Sequence, residues 1–444
     1  LEKAHYRVGV LSGDVPQKRE FAFVGWHQIE ERWCYLHAGG AIGGEATVRL
    51  PEGLARHCLP PPLEGDSLRA AVRACADLFF CGPADLTVPV FAAVWRAAAG
   101  HPHTVIYIQA EPEVGKTTFA IWAQNHFGTT YTVKCVPETW KSTAFGINYV
   151  LSVAGDCALV IDDFAWSGDK GDAKQLEKLD DVVHQYFSGV SRTKGTADSR
   201  LRKDRLARAL PIITGEVLPK RDSLVGRMVL VMMTERLPLT AEQIAENDRR
   251  AAHGVYAGAM AAALTWFAPQ FEQFHREVPS LVDELAEEFR RDHGSPRNAR
   301  ELADLAVGAE FFRRFARWCE AFTEEESSDF WLRAKVGLLS NRATQADVQA
   351  DENVCARYLH FVRDVIMSGR GHLAGKNGNA PKDALRCGWI VKDSLASNLD
   401  VDARGERIGF TDGTHVWIIL RPSFVAAQRM AKESGEQLAV DVRS

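Results

Sequence analysis

Gly115, Lys116, Thr117 and Thr118 close the stretch VIYIQAEPEVGKTT, residues 105–118, and they are residue types that suit phosphate. Where a loop enters a helix, backbone N–H groups can cradle phosphate oxygens, the Lys116 ammonium can reach β- and γ-phosphates, and the Thr117 hydroxyl can hold Mg²⁺. Further along, ALVIDDF ends in Asp162 and Asp163. An apolar run of this kind delivers carboxylates to the carboxyl edge of a sheet, where Asp162 would hold Mg²⁺ directly or through water and Asp163 would orient an attacking water. Two acids after a strand also serve as a turn or a helix cap. The phosphate loop upstream favours the chemical reading.

Two more groups fall in order behind these. Thr214, at the polar end of ALPIITGE, could touch a γ-phosphate or a lytic water as a sensor. Arg227, just before MVLVMM, is either a surface charge or an arginine finger aimed at a neighbouring subunit's nucleotide, and we read the finger. Between these strands and the acid pair lies a dense basic segment, 188–209, holding Arg192, Lys194, Arg200, Arg202, Lys203, Arg205 and Arg208 against Asp198 and Asp204, with Gly195 at a hairpin tip. It is a solvated face or a phosphate-binding arm. Its insertion inside the nucleotide domain favours an arm, with Arg192, Lys194, Arg200, Arg202 and Lys203 on DNA. One position in the loop departs from G-x-x-x-x-G-K-[ST]: Ala110 stands at the first glycine, so a residue with a Cβ must make the tight first turn.

Positioning these groups takes a parallel sheet with helices around it. Residues 105–108, 158–164, 209–216 and 228–233 read as its strands, and 131–135 as a further candidate. Residues 1–62 read as β-rich, from RVGVL, FAFVGW and WCYLHAGGAIGG, and the glycines at 39, 40, 43 and 44 as tight turns. Helices are expected at 67–78, 88–99, 144–153 and 174–187, then across 240–268, 281–291, 299–322 and 344–367, with Thr240 and Gln243 forming a capping box. Arg297 and Arg300, at the start of one of these, are either a solvated helix start or lid contacts to phosphate. The Gly-, Asn- and Lys-rich stretch 368–380 reads as a linker, and 381–444 as a short helix, a strand pair about Asp412-Gly413 and a closing helix, which suggests a winged helix.

Composition bounds the reading. The chain has 444 residues, 46% of them apolar, and a net charge of −5, so nucleic-acid binding would come from a local patch and not from the whole surface. Nine cysteines are scattered without a C-x-x-C pair or a Cys/His metal spacing, which suits a reducing cytoplasm. The longest apolar stretch, 255–268, is too short to span a bilayer, and we expect no membrane partner. The opening at Leu1, on polar strand-like sequence, is expected to be part of something longer, and no targeting signal is visible.

The loop, acid pair, polar strand end and arginine resemble those of AAA+ ATPases in order and spacing. The segments FVGWHQIEERWCYLHAGGAIG, VPETWKSTA, VIDDFAW, SGVSRTKG, PIITGEVLP and SLVGRMVLV narrow the resemblance to domain-of-unknown-function ATPases of phages and integrative elements, relatives of the MCM-like self-loading helicases of cassette chromosomes. That resemblance covers nearly the whole chain. It implies an α/β fold with a P-loop AAA+ ATPase core (63–236), a β-rich N-terminal region (1–62), a helical lid (237–367), a linker (368–380) and a winged-helix-like domain (381–444). It implies ATP and Mg²⁺ as cofactors, a hexameric ring threading single-stranded or forked DNA, and a hairpin at 192–203 on the nucleic acid. Asp163 stands where many AAA+ proteins have glutamate. The expected activity is an ATP-dependent helicase or translocase serving replication of a phage or mobile element. The alternatives are an initiator, loader or assembly ATPase that unwinds nothing, and a binding module with an inactive nucleotide site.

Overall fold

The computed structural model describes residues 20–165, 169–188, 207–219, 222–290, 296–351, 354–393, 400–434 and Leu438. The chain divides into two compact units, Leu1–Ala346 and Asp347–Ser444.

The first unit opens with short strands: β1 (Glu20–Phe21), β2 (Gly25–Ile29), β3 (Arg32–His37), β4 (Gly40–Ile42) and β5 (Thr47–Val48). β2, β3 and β4 form an antiparallel meander, while β1 pairs with β5 in parallel. Glu30 and Glu31 join β2 to β3 with φ of 48° and 66°, both left-handed, which matches the twist of a two-residue hairpin. The segment RVGVL lies outside the described residues.

Helices α1 (Gly65–Phe80) and α2 (Ala84–Ala98) lead into the sheet. From Thr87 to Ala98 every residue of α2 is buried, so this helix runs through the interior. It is followed by β6 (Ile106–Ala110), α3 (Lys116–Gln124), β7 (Glu138–Thr139), α4 (Ala144–Val153), β8 (Ala158–Phe164), α5 (Asp169–Ser188), β9 (Leu210–Gly215), α6 (Asp222–Val225) and β10 (Val229–Met233). The five strands lie side by side in the order β10-β6-β9-β8-β7, all parallel. Helices cover both faces of such a sheet, which is why its strands are near-continuous apolar runs. The strand expected at 131–135 is instead a turn closed by Thr132 and Cys135, with Tyr131 buried in the core. The edge strand comes a few residues later, where Glu138 and Thr139 meet Ile161 and Asp162.

Five helices complete this unit: α7 (Ala241–Ala252), α8 (Val255–Phe267), α9 (Phe271–Arg290), α10 (Pro296–Trp318) and α11 (Glu324–Asp351). The Thr240/Gln243 capping box is present at the start of α7. α10 is pinned to α2 by a buried ion pair, Arg96 Nε to Asp304 Oδ1 at 2.9 Å. α11 covers the outer edge of β10: Gln345 Oε1 accepts from Leu230 N at 3.1 Å and Asn341 Nδ2 donates to Leu230 O at 2.6 Å. Side-chain amides thus satisfy backbone groups that an edge strand would otherwise leave open.

The second unit contains α12 (Val354–Met367), β11 (Gly371–Gly375), β12 (Trp389–Asp393), β13 (Asp400–Ala403), β14 (Glu406–Thr411), β15 (Val416–Ile418) and α13 (Leu420–Glu433). Its sheet runs β11-β14-β15, with β12 and β13 as a separate hairpin. Phe361, Val365, Leu373, Ile408 and Ala427 share one core. The stretch 368–380 is therefore not a linker throughout: β11 is buried along its length, pairs with β14 and sends Leu373 into the core. Among the described residues no helix is long and apolar enough to cross a membrane.

Candidate nucleotide-binding site

The sheet's carboxyl edge gathers the loop, the acid pair and the end of β9. β6 ends at Ala110, which is extended and pairs with Met233. The left-handed residues come later, Glu113 at φ 63° and Gly115 at φ 102°. The turn expected at Ala110 is thus made at Glu113, and Ala110 needs no special backbone. Gly115 caps α3, and a Cβ built on it would meet nothing within 4 Å: the loop opens on empty space while its backbone favours glycine. Arg236, a residue the motif reading missed, braces this turn by donating from Nε to Glu113 O at 3.0 Å.

Behind Gly115, Lys116 is buried, with Nζ 3.7 Å from Glu216 Oε1. Thr117 and Thr118 stand half-buried in the first turn of α3. The Thr117 hydroxyl donates to Asp162 Oδ1 at 3.0 Å. The same oxygen receives the Thr214 hydroxyl at 2.5 Å, and Thr214 Oγ1 in turn accepts from Asp163 N at 3.2 Å. This convergence depends on a bulge. The register between β8 and β9 shifts between Ile161 and Phe164, and Asp163 takes φ 73°, so the chain lifts both acids out of the regular ladder.

The end of β9 is held just as tightly. Gln109 Nε2 donates to Glu216 O at 3.0 Å, and the Tyr107 hydroxyl donates to Val217 O. Burial pushes the Tyr107 phenol well above its ordinary pKa, so it stays a donor. Gly215 allows this contact, because a Cβ there would overlap the Tyr107 oxygen. Gln109, Tyr107 and Glu216 belong to no phosphate-loop motif, although the polar ending of PIITGE was visible in the sequence.

The residues present fit a phosphate with its metal. A hydroxyl and a carboxylate at hydrogen-bond distance sit beside an open, glycine-lined loop with a buried ammonium. Among the described residues no three His, Cys, Asp or Glu side chains form a metal cluster. The Thr117 hydroxyl and the Asp162 carboxylate are the oxygens that would hold Mg²⁺ here, an ion that is commonly bound through one or two protein oxygens together with substrate phosphates.

Arg227 is not brought to this loop. Val229 pairs with Ile106 in a parallel sheet, so Arg227 lies at the amino edge of β10, while the loop follows the carboxyl edge of β6. Arg300 pairs with Asp283 Oδ1 at 2.7 Å, and the side chain of Arg297 lies outside the described residues. So do Arg192, Lys194, Arg200, Arg202 and Lys203. Arg208, the last member of the basic segment, is half-buried and turned inward: it pairs with the fully buried Asp156, which also accepts Trp26 N at 2.9 Å and His101 N at 3.0 Å.

A parallel sheet of this order, with a glycine–lysine–threonine loop after its second strand in space and an acid pair at the end of the fourth, defines an α/β core that gathers its polar groups at one edge. The solved structure of SCCmec type IV Cch, titled an active helicase, matches 98% of this chain and 76% of its own with a TM-score of 0.53 at 12% identity. At that identity the two share a fold. The A-form apo structure of the NrS-1 C-terminal region matches 74% of this chain and 84% of its own at 10% identity and a TM-score of 0.29, too slight to bear on the fold. No family model matches the chain, and no curated protein matches it in sequence.

Proposed function

We propose that this chain is an AAA+ ATPase that works as a DNA helicase or translocase, in a hexameric cytoplasmic ring, during replication of a phage or mobile element. The observation that carries this reading is the Thr117–Asp162 pair, 3.0 Å apart beside Lys116 and the open loop. Gly115 and Thr118 line the phosphate cradle, and Lys116 neutralises β- and γ-oxygens. Thr117 and Asp162 hold Mg²⁺, which supplies charge neutralisation across the phosphates. Asp163 orients water, Thr214 senses the γ-phosphate through Asp162, and Arg227 serves the loop of a neighbouring subunit. Arg192, Lys194, Arg200, Arg202 and Lys203 touch single-stranded or forked DNA. The helices of 237–346 act as the lid, and the second unit serves as the winged-helix-like module.

ATP turnover with and without single-stranded DNA, strand separation on a fork, and particle size in ATP and DNA test the proposal, with Lys116→Ala as control. DNA-stimulated turnover by a ring that separates strands is expected. Turnover that ignores DNA, or Arg200→Ala with Arg202→Ala leaving stimulation intact, would favour the loader or assembly reading. Wild-type turnover equal to that of Lys116→Ala would sink the ATPase assignment.

A further inference from the structure

Glu216 has no role in the motif, yet its carboxylate forms an ion pair with the phosphate-loop ammonium, Oε1 lying 3.7 Å from Lys116 Nζ. Glu216 lies two residues beyond Thr214, in the bend that follows the last residue of β9. Thr214 reaches Asp162 and Glu216 pairs with Lys116, so the end of β9 and the bend after it supply one polar group to each side of the loop. The Glu216 peptide is clamped on both sides: its N–H donates to Phe164 O at 3.1 Å and its carbonyl accepts from Gln109 Nε2 at 3.0 Å. The backbone is fixed, while the side chain is 37% exposed and able to turn. Asp163 is one methylene shorter, exposed, and sits on a left-handed backbone whose N–H is already committed to Thr214.

We propose that Glu216 is a second catalytic carboxylate of this site, holding the lytic water and taking its proton. The proposal rests on the nucleotide-hydrolase reading above. With phosphate in the loop, Lys116 leaves Glu216 for the β- and γ-oxygens, and the carboxylate remains beside the place the ammonium marked. Glu216 then accepts a proton from water as the water oxygen bonds to the γ-phosphorus. The bond from that phosphorus to the β,γ-bridging oxygen breaks, its electron pair leaves with ADP, and Glu216 returns the proton to solvent. Before nucleotide enters, the same carboxylate competes with phosphate for Lys116.

These two roles give Glu216→Gln opposite effects on binding and turnover. Binding of a fluorescent non-hydrolysable ATP analogue with Mg²⁺, measured beside steady-state ATP turnover, reads both. Glu216→Gln is expected to bind the analogue as tightly as wild type or several-fold tighter while turnover drops on the order of 10²-fold, with Glu216→Asp in between. Turnover by Glu216→Gln within about threefold of wild type, with Asp163→Asn strongly impaired, would return the role to Asp163 alone and overturn the proposal. Parallel loss of binding and turnover would also overturn it, making Glu216 a structural brace. A wild-type chain that neither binds the analogue nor hydrolyses ATP would remove the underlying nucleotide reading, an outcome distinct from a wild type whose activity survives Glu216→Gln.

Discussion

Thr214 and Asp162 share a hydrogen bond of 2.5 Å across neighbouring strands, and through it one hydroxyl organises both acids of β8. Thr214 is fully buried, donates to Asp162 Oδ1 and accepts the N–H of Asp163. The Asp162 carboxylate and the Asp163 backbone are therefore set by the same side chain.

Thr214→Val keeps the shape and removes the hydroxyl. It leaves the part-buried Asp163 N–H without its acceptor, a loss of about 1 kcal/mol, which a lowered denaturation midpoint would report. Turnover should fall at least tenfold, on the order of what one positioned polar contact contributes, while Thr214→Ser retains most of it. Full turnover in the valine variant would mean that Asp162 is positioned by Thr117 alone.

The loop supports a contrast between two substitutions. Ala110→Gly adds freedom to an extended, paired strand residue whose φ is not left-handed, so it should cost about 0.5–1 kcal/mol of stability and change nucleotide affinity only modestly. Lys116→Ala removes the buried ammonium and should abolish turnover. Analogue binding and steady-state ATPase on both variants check this, and comparable defects would show that Ala110 shapes the cradle after all.

The same residues mark how far the sequence could be read. Buried parallel strands announce themselves as apolar runs, so ALVIDDF and PIITGE were legible with their polar ends, and the loop chemistry followed from Gly115 to Thr117. β7 was not, because a two-residue edge strand carries no periodicity and its neighbour Tyr131 mimics one by burying its ring. β11 was hidden inside a Gly-, Asn- and Lys-rich stretch that resembles a flexible linker until its pairing with β14 is seen. Arg208 looked like one more cation in a basic run. Only the fold brings it to Asp156, a partner distant in sequence.

Buried imidazoles predict a pH dependence. Burial lowers His37 to about 4, His57 to about 3, and His126 and His275 to about 4, from an ordinary value of 6.5. As pH drops below 6.5 the unfolded chain takes up protons that the folded chain refuses, so the unfolded state gains and stability declines progressively towards pH 4. The upper part of that window lies above the ordinary carboxylate value of 4.5, so the loss between about 6.5 and 5 belongs to histidine. Denaturant midpoints followed over that interval should fall steadily. A flat profile there would mean these rings reach solvent in the folded chain.

The placement of Arg227 makes the most direct prediction about assembly. It lies at the amino edge of β10, across the sheet from its own Gly115 and Lys116, so it cannot serve the site of its own chain without leaving the fold. If it acts on a neighbour's nucleotide, Arg227→Ala and Lys116→Ala should each be inactive alone, the former reduced by about 10³-fold or more. Mixed in equal parts, they should recover activity, because an intact loop in an Arg227→Ala chain can face an intact arginine in a Lys116→Ala chain at about one interface in four. ATPase activity measured across mixing ratios would then peak near equal parts. Flat, inactive mixtures would place the role of Arg227 within its own chain.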